Sequence, residues 1–94
     1  MRLIDSALFR LALEGTLTLD EARALKVLYD KKNCSAHIIE TETGLEEESV
    51  FLAMNNLVQR KIVTESKGIF FVEDFEDKIS ELIRKEAELA KAYN

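Results

Sequence analysis

Three groups of side chains in this 94-residue chain are suited to chemistry or recognition. Cys34 and the single histidine, His37, stand three positions apart, the types of a thiol nucleophile and its base. No third group that would orient the imidazole is identifiable, and no glycine-rich oxyanion motif accompanies the pair. No catalytic residue is therefore expected. The second group is a run of carboxylates, Glu40, Glu42, Glu46, Glu47 and Glu48. Their spacing lacks the Asp/Asn pattern and central Gly of a calcium loop, and nothing matches a zinc-binding Cys–His spacing. A solvated acidic face is the expected role, with no metal and no cofactor. The third group is the amides Asn55, Asn56 and Gln59, which can hydrogen-bond a planar partner if their helix presents them.

The bulk properties bound what these groups can serve. Ninety-four residues make one domain, spanning 1–94. A chain of this size buries only roughly 60–65% of its unfolded surface, so an oligomer contact would add useful apolar area. A hydrophobic fraction of 47% with 33% charged residues fits an ordered domain. The absence of Pro with only three Gly favours helices joined by short turns. The net charge of −5 argues against a dedicated non-specific nucleic-acid binder, whose affinity rests on phosphate neutralisation. One cysteine cannot close an intrachain disulfide, and an inert, partly buried thiol is its expected role. No apolar run approaches the ~20 residues of a membrane span. Asp5 stands where a signal peptide would carry its apolar centre, so a cytoplasmic location and no membrane partner are expected. Abundant Glu, Lys and Arg without Pro point toward a thermophilic or archaeal source.

The elements that must position the candidate groups follow from periodicity. Ile4, Ala7, Leu8, Leu11 and Ala12 share a helical face over about residues 3–14, while Leu3, Phe9 and Leu13 lie off it. A helix so broadly apolar is expected to be covered on two sides; Gly15 stops it. Thr18-Leu19-Asp20-Glu21 fits a capping box, with the Thr18 hydroxyl accepting from the Glu21 amide and the Glu21 carboxylate from that of Thr18. The helix it opens carries an inward stripe of Ala22, Leu25, Leu28 and Tyr29 and ends at Lys31-Lys32-Asn33. A short third helix runs from a Ser35 cap to about Glu42, with Ile38 and Ile39 as core anchors. Gly44 turns the chain into a fourth helix, about 46–61, whose three leading acids suit its positive pole. Ile62–Val72 reads as two short strands about a Lys67-Gly68 turn. An Asp74 cap opens a last helix that runs to about Tyr93, with Phe75, Ile79, Leu82, Leu89 and Tyr93 in its apolar stripe. The expected fold class is α+β, mostly α.

Ile38-Ile39 followed by Thr43-Gly44-Leu45, then Val50, Ala53, Met54 and Leu57 leading into Ile62-Val63, resembles the winged-helix transcription regulators of bacteria and archaea in the broad MarR-like and TrmB-like sense. The resemblance covers residues 18–72. It implies a winged helix-turn-helix with a short two-stranded wing, and the terminal helices, residues 3–14 and 74–93, match the parts these families use to dimerise. The apolar stripes themselves must be covered, by a homodimer interface through Ile4, Leu8, Leu11, Phe75, Ile79, Leu82, Leu89 and Tyr93 or, as the alternative, by packing within the chain's own domain. The resemblance also implies that the fourth helix enters the major groove of double-stranded DNA and that the wing reaches an adjacent minor groove or phosphate. Carried onto this chain, the outer face of that helix holds Glu48, Leu52, Asn55 and Gln59, flanked by Ser49, Asn56 and Phe51. Asn55, Asn56 and Gln59 would bond base edges, and Ser49 a phosphate. Ser35 and His37 would bond phosphate at a helix N-terminus, with Arg60 and Lys67 supplying cations.

The sequence departs from that pattern where family members often carry Ser, Thr, Lys or Arg. Those places hold Glu46, Glu48, Leu52 and Asn55, and no basic residue occurs on the outer face before Arg60. Two expectations therefore stand side by side. One is a homodimeric DNA-binding regulator of transcription. The other is a protein–protein interaction module that docks a partner on Glu48, Phe51 and Leu52 and leaves DNA alone.

Overall fold

A computed structural model describes residues 3–92, and of residues 86 and 89–92 the backbone alone. Its elements are α1 (Leu3–Leu13), α2 (Leu19–Lys31), β1 (Asn33–Ser35), α3 (Ala36–Thr43), α4 (Glu47–Gln59), β2 (Thr64–Ser66), β3 (Ile69–Phe71) and α5 (Phe75–Ala92). The fold is mostly helical, with one small antiparallel sheet in the order β1-β3-β2. The sheet has three strands where the sequence predicts two. The third is β1, which pairs Cys34 with Phe70 and Ser35 with Ile69.

The helix boundaries follow from local chemistry. Thr18 Oγ1 accepts from the Glu21 amide at 3.1 Å, and Glu21 Oε1 accepts from the Thr18 amide at 2.7 Å, closing the capping box of α2. Gly44 ends α3 in the left-handed region (φ 75°), its amide donating to the Glu40 carbonyl at 2.8 Å. The neighbouring Thr43 hydroxyl donates to Ile39 O at 2.6 Å and accepts from the Leu45 amide at 3.2 Å, which fixes the turn into α4. Helix α4 ends with Lys61 in the left-handed region (φ 62°), the Lys61 amide on Val58 O and the Ile62 amide on Leu57 O. That closing turn takes up Ile62 and Val63, expected in a strand. Both are buried there, and β2 starts at Thr64.

The core sits between α1, α2, α4 and the start of α5, with α3 laid across α2 and α4. Leu11, Leu25, Leu28, Ile39, Val50, Met54 and Leu57 are its largest fully buried side chains. Each contributes about 1.5–3 kcal/mol of burial. Only one of the two isoleucines of α3 anchors it: Ile39 is buried and Ile38 is exposed. Tyr29 and Phe75 meet edge to face at 5.2 Å and dock the start of α5 on α2. Asp74, expected as the cap of α5, takes a positive φ of 47° instead of the extended geometry of a capping residue, and its carbonyl accepts from the Lys78 amide.

The side chains expected to meet a second copy are largely used within the chain. Ile4, Leu8, Leu11, Ile79 and Leu82 are buried in the core, and Phe75 is half-buried against Tyr29. Helix α1 is covered on that side alone; its opposite side leaves Leu3, Phe9 and Leu13 exposed. The Leu89 side chain and Tyr93 lie outside the described residues.

Candidate interaction groove

Helix α4 presents two faces with different chemistry. Val50, Ala53, Met54 and Leu57 turn inward and are buried. Phe51 and Leu52 turn outward, 67% and 60% exposed, next to Glu47 and Glu48. Two large, mostly exposed apolar side chains side by side on one helix make an apolar patch in water.

These side chains line an open groove of about 850 Å³ bounded by α3, α4 and the hairpin of β2 and β3. Its apolar surface comes from Phe51, Leu52, Met54, Val58 and Phe70. Carboxylates stand along every wall: Glu40 on α3, Glu47 and Glu48 at the start of α4, and Glu65 on β2. Among the described residues no Lys, Arg or His lines it. The hairpin wall is set by register. Cys34, Phe70 and Glu65 lie opposite one another across β1, β3 and β2, so they share one face of the sheet. Cys34 goes into the core at one end of that row, and Glu65 reaches the groove at the other. Phe71 projects from the opposite face, half-buried.

The hairpin turn is tight. Lys67 and Gly68 both have positive φ, 53° and 81°, which a two-residue turn of this hand requires. Glu65 Oε1 accepts from the Gly68 amide at 2.7 Å.

The residues expected to contact nucleic acid lie at the start of α3, along α4 to its C-cap and at the hairpin tip. Ser35 is the N-cap of α3, its hydroxyl accepting from the Ile38 amide at 3.5 Å. His37 is exposed on the first turn of α3, and its carbonyl accepts from the Thr41 hydroxyl at 3.0 Å. Ser49 is half-buried on α4, while Asn55, Asn56 and Gln59 are exposed. Asn55 alone of these lines the groove. Lys67 is exposed at the hairpin tip. Arg60 bends back to the α1–α2 turn, its Nη1 donating to Thr16 O at 2.9 Å and lying 4.0 Å from the Glu21 carboxylate. The residues expected to dock a protein, Glu48, Phe51 and Leu52, come together.

Sequence reasoning missed Glu65 and the way Glu40 and Phe70 converge on this groove. Glu42, counted with Glu40 in the acidic run, turns away and pairs with Lys31 at 3.4 Å. The two differ by two positions on a helix, about 200° apart, and that was the signal available. The Cys34 thiol is buried; burial raises its pKa, which Lys31 lowers and Glu42 raises. The thiol form is thereby favoured over the reactive thiolate. Among the described residues, no His, Cys, Asp and Glu side chains cluster as metal ligands would, and no helix is long and apolar enough to cross a membrane. No known protein family, curated protein or solved structure matches the chain.

Proposed function

We propose that this chain is a winged-helix module that docks a protein partner in the groove between α3, α4 and the hairpin. The winged-helix part of the reading is supported by two helices joined through a tight turn at Gly44 and followed by a hairpin with a two-residue tip. The docking part rests on one observation: Phe51 and Leu52 stand exposed on the outer face of α4 among carboxylates. A helix reading DNA needs cations or neutral donors near phosphate, and carboxylates there repel it.

A second reading, binding of double-stranded DNA in a regulator of transcription, is favoured by the exposed amides Asn55, Asn56 and Gln59 and by Lys67 at the hairpin tip. In either reading a homodimer would use the open side of α1, where Phe9 and Leu13 lie one turn apart.

Fluorescence-polarisation titration of short random-sequence duplexes, at about 50 and 200 mM salt, separates the two. The expected result is no duplex binding at either salt. Binding that falls steeply with salt and is lost in Asn55→Ala and Lys67→Ala overturns protein docking and installs the DNA reading. The mass of the protein measured in the same buffers reads its oligomeric state.

A further inference from the structure

We infer that the groove takes a basic amphipathic α-helix of a partner protein, an inference that rests on the protein-docking reading above and names its partner class. Shape, length and charge each narrow the occupant. The apolar lining comes from Phe51, Leu52, Met54 and Val58 on α4 and from Phe70 on β3. Helix α4 lines it from Glu47 to Val58, eleven rises of about 1.5 Å or about 16 Å, the length of three helical turns. A helix presenting apolar side chains at i, i+3 or i+4, and i+7 fills a groove of that length.

An extended peptide would instead need a sheet edge for its backbone. The edge strand beside the groove, β2, is three residues long.

Charge selects among amphipathic helices. Glu40, Glu47, Glu48 and Glu65 stand on three walls around this lining with no cation among the described lining residues. An acidic helix would bring like charges together at every wall, whereas Lys or Arg flanking an apolar stripe would meet a carboxylate on each side. Glu65 also accepts from the Gly68 amide, so its carboxylate is held in place on the hairpin instead of swinging freely.

The test uses three peptides of about 15 residues, long enough for marginal helicity in water. The first carries Leu at i, i+3, i+4 and i+7 with Lys and Arg elsewhere. The second replaces Lys and Arg with Glu. The third has the composition of the first with the stripe scrambled. Fluorescence anisotropy against the full chain should give micromolar binding of the first peptide. The other two should bind at least about tenfold more weakly. The double variant Phe51→Ser/Leu52→Ser should weaken the first peptide at least about tenfold. Glu40→Gln/Glu48→Gln/Glu65→Gln should weaken it and flatten its salt dependence, while the side-chain carbonyl introduced by Glu65→Gln can still accept from the Gly68 amide. Circular dichroism confirms that each variant is folded. Equal or tighter binding of the acidic peptide, lost in Phe51→Ser/Leu52→Ser, overturns the basic class and leaves protein docking standing. Binding of the first peptide that survives Phe51→Ser/Leu52→Ser is adsorption to an acidic protein and overturns the inference. Failure of all three peptides up to millimolar concentration also overturns it. Duplex binding alongside that failure overturns the docking reading as well.

Discussion

Glu21→Ala should destabilise the domain more than the loss of an ordinary surface glutamate would. Glu21 is only 3% exposed, and both of its carboxylate oxygens are in use. Oε1 accepts from the Thr18 amide at 2.7 Å, and Oε2 lies 4.0 Å from the Arg60 guanidinium. Truncation leaves the Thr18 amide, part-buried at the start of α2, without its acceptor, which costs about 1–2 kcal/mol. The pair with Arg60 adds little, about 0.5 kcal/mol, because Arg60 is well exposed and its Nη1 still has Thr16 O. Thr18→Ala removes the other half of the box, the acceptor of the Glu21 amide, at about 1 kcal/mol. The summed expectation for Glu21→Ala is about 1.5–2.5 kcal/mol. For a domain of this size each kcal/mol lowers Tm by roughly 4–8 °C, so a fall of about 6–20 °C is expected. Thr18→Ala should give roughly half of that. The two bonds share the same two residues, so the double variant should lose less than the sum. Urea unfolding followed by circular dichroism measures all three free energies. A Tm for Glu21→Ala within a degree or two of the parent would refute the reasoning, and strict additivity would refute the reciprocal box.

Other perturbations read other parts of the molecule. Leu52→Lys should leave stability within about 0.5 kcal/mol of the parent, since Leu52 is mostly exposed and a new ammonium one turn from Glu48 is favourable. Leu57→Ala, at a fully buried position, should cost about 2–5 kcal/mol in the same urea titration. Lys67→Asn should raise the unfolding midpoint, because Asn tolerates the positive φ of 53° better than Lys does, and a lowered midpoint would mean that the Lys67 stem packs. The raised Cys34 pKa predicts a stability that is full below the unfolded thiol's value and is lost as pH rises through the folded value, because between the two only the unfolded chain gains by ionising. Cys34→Ala should remove that part of the slope at alkaline pH, and an unchanged slope would show that the folded thiol ionises normally.

What the sequence made legible was local. The Thr18–Glu21 box, the stop at Gly15, the turn at Gly44 and the inward stripe of α4 all depend on residues within one or two turns of each other, and each took the expected place. Strand β1 was not legible: Asn33-Cys34-Ser35 has no alternation of its own and becomes a strand only because β3, more than thirty residues later, lies against it. Residues Ile62 and Val63 carried a β-type composition, yet the closing turn of α4 placed them in the core, a case of tertiary packing overriding propensity. Within the described residues, the apolar stripes of α1 and of the first half of α5 signalled burial but could not say by what. Ile4, Leu8, Leu11, Ile79 and Leu82 are covered by their own chain. The same limit applied to the groove. Phe51, Leu52 and Glu48 were visible as an odd face on one helix, whereas Glu40 and Glu65 join them only through the packing of three separate elements.

Ser35 has two structural duties at once. It is the last residue of β1, paired with Ile69, and it is the cap from which α3 springs. The strand pairing that holds the hairpin therefore also holds the first turn of α3, so two walls of the groove share one residue. Moving the hairpin away from α3 would have to break either the pairing of β1 with β3 or the Ser35 cap. The backbone amides that pair β1 with β3 should then be protected together with those of the first turn of α3, and filling the groove should slow the exchange of both.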